Sequence, residues 1–175
     1  MHVEDSASDL EWCAKKLMSV KLWSVGKGED ERMWRANVKD VEGEVLVVSQ
    51  FTLYGTITKK QQPDFRNAAK SDTARKQYET FLALARIEGI PAGKSGKKPD
   101  AAKVATTDGG DYVGGVAVRG GVFGAMMDVG LVNDGPVTLI VDSREKGGPS
   151  FAGGGQAPSP SPPPAAGQLG SVSDP

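Results

Sequence analysis

The chain contains, at residues 45–54, the stretch Val45-Leu46-Val47-Val48-Ser49-Gln50-Phe51-Thr52-Leu53-Tyr54. Its first four residues are apolar and mostly β-branched, which predicts a central strand buried on both faces. If the strand continues, its side chains alternate, with Ser49, Phe51 and Leu53 on one face. Hydroxyl and amide groups where a strand normally buries Val or Leu usually mark a site, although an edge strand with polar faces is the alternative.

A second polar segment interrupts apolar sequence at residues 133–138. It begins with Asn133-Asp134-Gly135-Pro136, four residues that commonly form turns. The flanking residues 129–132 and 137–141 are apolar and rich in β-branched side chains, so they are predicted to be strands. On residue types alone, the segment is a turn between two strands.

Two helices are predicted around these segments. Ser8 and Glu11 have capping-box spacing, and apolar residues follow at helical intervals, which predicts a helix over residues 9–20. A second helix starts at Ser71 or Asp72 and ends at Gly89. Other elements follow from alternation and composition: strands at 21–25 and 33–38, and a long loop at 92–120. Strands and helices without strict alternation predict an α+β fold, in which a mixed sheet closes towards a barrel and packs against two helices.

The C-terminal residues differ sharply from the rest. Residues 147–175 contain 7 Gly, 7 Pro and 5 Ser, which predicts a disordered tail after a domain over residues 1–146; a proline-motif ligand is the alternative for part of it. The chain has 21 basic and 22 acidic residues, and only the acidic Asp174 lies beyond residue 146, so the predicted domain is neutral. Any nucleic-acid contact must therefore come from local patches.

The chain has one cysteine, Cys13, and one histidine, His2. Cys13 is predicted to be buried on a helix, and His2 to lie at the surface. These counts exclude a disulfide and leave no base for a Ser-His-Asp or Cys-His mechanism, so no metal or cofactor is expected. No apolar stretch is long enough to span a bilayer, which predicts a cytosolic protein without a membrane partner.

The two polar segments resemble the signature motifs of the D-aminoacyl-tRNA deacylases, which remove D-amino acids mischarged onto tRNA. A run at residues 121–127, just upstream of the second motif, is similar to the same family. The resemblance implies a homodimeric hydrolase that acts on the aminoacyl-adenosine at the 3′ end of tRNA. A related deacylase type clears L-alanine but carries Thr-Pro in place of Gly-Pro, so Gly135 disfavours that type.

The resemblance also implies a role for each motif position. Thr52 hydrogen-bonds the ribose or the ester, Gln50 orients neighbouring groups, the Phe51 N–H stabilises the oxyanion, and Ser49 lines the pocket. The 2′-hydroxyl of the substrate serves as a catalytic group; Thr52 as nucleophile is the alternative, but it lacks a base. The implied substrate-binding residues are Gly135 and Pro136, joined by a cis bond whose carbonyls meet the α-amino group across the dimer interface, and the adenine-pocket walls Phe123, Gly124, Ala125, Met126 and Met127.

Two features depart from the family pattern. Family members begin with two strands before the first helix, and the resemblance implies that this chain lacks them, so we expect aggregation and little activity. The loop at 92–120 corresponds to an insertion, in which Lys94, Lys97, Lys98 and Lys103 form either a solvated cluster or a phosphate-contacting arm. An inactive relative acting as a nucleic-acid-binding or interaction protein is therefore the alternative function, since one relative has been linked to DNA-replication origins.

Overall fold

The computed structural model describes residues 1–90 and 115–145. The predicted tail and most of the predicted insertion, including its lysines, lie outside these residues. No helix within the two described ranges is both long and apolar enough to cross a membrane. In chain order the elements are α1 (Ala7–Ser19), β1 (Trp23–Val25), β2 (Arg32–Ala36), β3 (Glu44–Val47), β4 (Thr56–Ile57), β5 (Pro63–Asp64), α2 (Ser71–Gly89) and β6 (Ala117–Gly120).

Helix α1 begins slightly earlier than predicted. Ser6 caps it, and the Ser6 backbone N–H donates a hydrogen bond of 2.9 Å to the Asp9 carboxylate. The prediction that Ser8 and Glu11 form the capping box is therefore wrong. Ser6 and Asp9 have the same spacing and form the capping box instead. Helix α2 spans the predicted residues.

The two helices pack against each other through small and apolar side chains. Ala14 and Met18 of α1 and Ala85 of α2 are completely buried. Alanine at such positions lets helix backbones approach closely, and Met18 fills the remaining space. Tyr78 and Leu82 continue the buried stripe of α2 towards the sheet. The core is completed by Val38, Val116 and Val118.

Strands β3 and β6 pair in parallel, with Glu44 opposite Ala117 and Val47 opposite Gly120. Helix α2 lies between them in the chain and packs on β6, as a crossover helix does. Strand β6 occupies residues that were predicted to belong to the long loop at 92–120. That prediction is wrong at the C-terminal end of the loop, where the short apolar run between glycines gives little periodic signal.

The last turn of α2 is hydrogen-bonded to the residue that precedes β6. The Val116 N–H donates a hydrogen bond of 3.1 Å to the Gly89 carbonyl. A Cβ atom on Gly89 would lie 3.2 Å from the Val116 oxygen, which is a tight contact, so glycine favours the close approach of the two segments. Both ends of the intervening segment are therefore fixed beside each other.

Only one face of β3 is covered. Val45 and Val47 pack against the core, whereas Leu46 is 69% exposed. The predicted burial on both faces is wrong, because the helices cover one side of the β3–β6 pair and no second layer covers the other among the described residues.

The strands form three separate two-stranded sheets within the described ranges. β1 and β2 are antiparallel, as are β4 and β5, and β3–β6 is parallel. The mixture of helices and strands agrees with the predicted class. The predicted closure towards a barrel is wrong, because these sheets are not hydrogen-bonded to one another.

Residues 129–141, predicted to form two strands around a turn, contain neither helix nor strand. Leu131, Val132 and Ile140 are exposed, Val132 almost completely. A strand needs a neighbour to satisfy its backbone groups, and none of the described residues pairs with this segment. The pattern of apolar residues therefore misled the prediction of local structure.

Candidate active site

The first motif and the run at 121–127 meet at one edge of the β3–β6 sheet. Parallel strands end at the same edge, so the segments that follow them begin side by side. The Gly121 N–H donates a hydrogen bond of 2.8 Å to the Val47 carbonyl, and the Gly124 N–H donates one of 3.2 Å to the Ser49 Oγ. The Ser49 side chain therefore joins the two segments.

The second half of the first motif is a 3₁₀ turn at Phe51–Tyr54 rather than a continued strand. The ladder of β3 and β6 ends where Val47 faces Gly120, so no partner strand extends beyond it. The predicted alternation of faces is therefore wrong. The Phe51 ring instead meets the Phe65 ring edge-on, with the ring centroids 5.0 Å apart.

Gln50 and Thr52 form the polar pair of the motif. The Gln50 Nε2 donates a hydrogen bond of 2.5 Å to the Thr52 Oγ1, and both side chains are exposed. Because the hydroxyl oxygen is the acceptor in this contact, its own hydrogen remains available to a ligand. The amide thus orients a hydroxyl donor towards solvent.

Phe123 is the aromatic residue that precedes Gly124 at this junction. It is half-buried, and its ring centroid lies 5.5 Å from that of Tyr78 at a tilt of 51°. The Arg75 guanidinium carbon lies over the same ring, 4.7 Å from its centroid. One ring therefore contacts both the core and an exposed cation.

Tyr78 has a role at the site that its sequence pattern did not reveal. Its hydroxyl lies 2.9 Å from the carbonyl oxygens of Val47 and Gly121, so it can donate to either. These carbonyls belong to the residues from which the two site segments depart. Burial raises the pKa of Tyr78, so the hydroxyl keeps its proton at neutral pH. The sequence did carry one signal for this role, because Tyr78 lies on the apolar face of a predicted helix. A buried phenol needs a hydrogen-bond partner.

The remaining residues of the 121–127 run extend into solvent. Ala125, Met126 and Met127 are exposed, and Met126 is exposed completely. Phe123 and Gly124 are thus the predicted adenine-pocket residues that contact the motif or the core. The role of the two methionines as walls of an adenine pocket stays a prediction.

His2 is buried, contrary to the prediction that it lies at the surface. It forms a β-bridge with Ala68, and its ring centroid lies 5.4 Å from that of Tyr54. Its Nδ1 accepts a hydrogen bond of 3.2 Å from the Glu4 N–H. Burial, and next the Asp5 carboxylate, raises the pKa of Tyr54. His2 therefore supports the end of the first motif instead of facing solvent.

The second motif stands apart from the first within one copy of the chain. The Gly135–Pro136 bond is cis, Gly135 has a φ of +116°, and both residues are exposed. The Asn133 Nδ2 donates a hydrogen bond of 3.4 Å to the Thr138 Oγ1 inside the motif. Across the described ranges, no hydrogen bond or ring contact joins residues 129–141 to the first motif.

Comparisons with known proteins agree with the resemblance. The profile of the D-Tyr-tRNA(Tyr) deacylase family matches residues 1–142. A D-aminoacyl-tRNA deacylase of Yarrowia lipolytica is 42% identical over 141 residues, which cover 81% of this chain and 75% of the relative. A protein of the same name from Thermus aquaticus is 42% identical over 145 residues, covering 83% of this chain and 76% of that relative.

A solved structure also resembles this fold. The protein named c-Myc DNA Unwinding Element Binding Protein superposes with a TM-score of 0.55 at 29% identity, over 79% of this chain and 74% of that chain. With the family profile matching most of the sequence, the resemblance of the motifs is confirmed: the chain belongs to the D-Tyr-tRNA(Tyr) deacylase family of hydrolases.

Proposed function

We propose that the chain hydrolyses the ester bond of D-aminoacyl-tRNA and releases the free D-amino acid and tRNA, a proofreading step of translation in the cytosol. The observation that carries the proposal is the hydrogen bond between Ser49 and Gly124. It brings the segment with the Gln50 and Thr52 pair together with the segment that holds Phe123. A polar pair for the ester and a ring for the base thus lie at one sheet edge.

The terminal adenosine would bind along the 121–127 run. The base would pack on the part of the half-buried Phe123 ring that Tyr78 and Arg75 leave uncovered, since aromatic rings are favourable contacts for nucleobases. Gly124 leaves room for close approach because a Cβ atom there would meet no neighbour within 4 Å. Ala125 and the exposed thioethers of Met126 and Met127 would complete the walls around the bound base.

Catalysis would depend on the substrate because the protein supplies no base at this position. The single histidine, His2, is buried against Tyr54, and the Gln50 amide is a donor to Thr52. A hydroxyl without a base is a poor nucleophile. The 2′-hydroxyl of the terminal ribose would act instead, with Thr52 positioning it and the Phe51 N–H stabilising the oxyanion.

Chiral selection would come from Gly135 and Pro136 of a second copy of the chain. Backbone carbonyls held rigidly at the chiral centre admit one stereoisomer and clash with the other. These carbonyls would not contact the side chain of the amino acid, so several D-amino acids would be substrates. A homodimer is supported by the absence of contacts between the two motifs among the described residues of one copy, and by the exposed apolar residues around the second motif.

The test is the deacylation of D-tyrosyl-tRNA and L-tyrosyl-tRNA under identical conditions. We expect release of D-tyrosine and no release of L-tyrosine above the rate without protein. Equal rates on the two substrates, or no reaction with the D form, would contradict the proposal that the chain is a D-aminoacyl-tRNA deacylase.

The alternative function is a nucleic-acid-binding protein without catalysis. It is favoured by the structural likeness to a protein named for a DNA unwinding element. The formal net charge of −1 disfavours tight binding to duplex DNA, which depends on phosphate neutralisation. Salt-dependent binding of duplex DNA, together with inactivity on D-tyrosyl-tRNA, would support this alternative.

A further inference from the structure

The Arg75 side chain is held in an unusual position beside the proposed adenosine pocket. It lies on α2, one turn before Tyr78, and its guanidinium carbon is 4.7 Å from the centroid of the Phe123 ring. A guanidinium over an aromatic face is attracted by the ring quadrupole and keeps its N–H groups at the edge of the plane. The stack therefore fixes the position of the cation without using its hydrogen-bond donors.

Arg75 makes no ion pair with any carboxylate of the described residues, which are 1–90 and 115–145. Asp72 and Glu79 stand at the helical spacings where acidic partners usually pair with an arginine. Neither carboxylate lies within 4 Å of the Arg75 guanidinium. An exposed arginine that packs on an aromatic ring and pairs with no carboxylate of the described residues can offer its donors to an external anion.

We propose that Arg75 binds the phosphate of the nucleotide whose base packs on Phe123. The inference rests on the proposed function, because it takes Phe123 as a wall of the adenosine pocket. One ribose separates the base of a nucleotide from its 5′-phosphate, so a cation on the same ring is within reach of that phosphate. Guanidinium groups match phosphate oxygens with paired hydrogen bonds, which an ammonium cannot reproduce.

The direct test compares two small probes, adenosine 5′-monophosphate and adenosine, by titration of the full chain. We expect the nucleotide to bind about tenfold tighter than the nucleoside, as a charge-assisted hydrogen bond implies. In Arg75→Ala the two probes should bind equally, at the affinity of adenosine. Lys76→Ala is the matched control, because it removes the same charge from the next residue and should keep the preference.

Two results with the unaltered chain and Arg75→Ala would overturn the inference. One is equal binding of both probes to the unaltered chain, and the other is an equal loss of both in Arg75→Ala, which would mean that Arg75 only supports the Phe123 ring. If Lys76→Ala lost the preference for the nucleotide as fully as Arg75→Ala, the inference would also be contradicted. The preference would then come from the general positive charge of this surface and not from Arg75.

The same variants separate this inference from the proposed function. With D-tyrosyl-tRNA, Arg75→Ala should raise KM, leave kcat unchanged and lower the slope of log KM against log salt by about 0.7, as expected for one phosphate of a single strand. A D-tyrosyl ester of adenosine, which has no phosphate, should be cleaved equally by both proteins. If neither ester is cleaved but the phosphate preference is present, the deacylase assignment fails and the phosphate site stands.

Discussion

The phenol of Tyr78 connects the helix layer to both segments of the candidate site. Its single proton faces two carbonyl oxygens, those of Val47 and Gly121, each 2.9 Å away. The next residues along these segments include Ser49 and Phe123, which make the contacts of the site. The position of a reactive region is therefore set by a residue that does not itself face the substrate.

Replacing Tyr78 by Phe keeps the ring contact with Phe123 and removes the hydroxyl. We expect a loss of about 1 to 3 kcal/mol in the free energy of unfolding, because the part-buried Gly121 carbonyl loses the hydroxyl donor, whereas the Val47 carbonyl keeps the Gly121 N–H. Chemical denaturation measures this loss. Thr80→Ala is the control, since it removes an exposed hydroxyl from the same helix and should change stability by less than about 0.5 kcal/mol. Equal effects in the two variants would contradict the role of Tyr78.

The Thr52 hydroxyl is expected to position the substrate rather than attack it. Thr52→Ala should lower the deacylation rate and leave measurable activity, because the 2′-hydroxyl remains. A D-tyrosyl-tRNA that ends in 2′-deoxyadenosine should not be cleaved. Single-turnover rates with both substrates check this prediction. Normal cleavage of the deoxy substrate would point to a nucleophile of the protein.

At the scale of elements, the site depends on how closely α2 approaches the end of β6. A Cβ atom on Gly120 would lie 2.8 Å from the Leu82 Cδ1 and 3.0 Å from the Tyr78 hydroxyl. Glycine is therefore the residue that lets the helix and the strand meet. The same contact holds the hydroxyl near its two acceptors.

Replacing Gly120 by Ala should destabilise the chain by about 1 to 3 kcal/mol, the usual cost of adding a methyl group to a packed core. It should also displace the Tyr78 hydroxyl and lower the deacylation rate. Gly130→Ala is the matched control, because a Cβ atom there meets no neighbour within 4 Å. Thermal unfolding of both variants checks the prediction, and equal midpoints would contradict it.

The elements differ in how well the sequence predicted them. Helix α2 was predicted at its observed bounds because apolar residues recur with the helical period between a clear start and Gly89. Strand β6 was missed because Ala117 and Val118 form a short run among glycines. The turn at Phe51–Tyr54 was taken for a strand, since alternation cannot show where the partner strand ends. The local sequence pattern shows which side chains are apolar, whereas the pairing of strands depends on residues that are distant in the sequence.

The roles of the predicted site residues stay predictions, but the structure shows which of these residues are in contact. Ser49 and Gly124 are in contact, and Gln50 orients Thr52, which the motif could not show without coordinates. The supporting residues Tyr78 and His2 come from distant parts of the chain, so no local signal linked them to the site. The roles assigned to Gly135 and Pro136 stay predictions.

At the scale of the whole molecule, apolar surface is the dominant feature. Residues 129–141 expose several large side chains in one stretch, and β3 exposes Leu46 on its uncovered face. Contiguous apolar patches of this kind mark interaction surfaces or lead to aggregation. Self-association is therefore the expected behaviour of the chain in solution.

We expect the association to run through residues 129–141. Light scattering should give a mass above the 18.3 kDa of one chain, and a mass of twice that value identifies the proposed homodimer. Val132→Lys with Ile140→Lys should lower the mass, because both side chains are highly exposed and charges oppose burial. Met33→Lys, at an exposed position of β2, should have no effect. A monomeric unaltered chain would contradict the prediction, and a mass that grows without limit would indicate aggregation instead of a dimer.

The hydrogen bond between Val116 and Gly89 sets the distance that any connecting segment has to span. Because both ends are anchored side by side, doubling the length of this segment costs only about 0.6 kcal/mol in closure entropy. Evolution can therefore lengthen it without moving α2 or β6. If the chain were interrupted between Gly89 and Val116, this hydrogen bond and the shared core would still hold the two parts together.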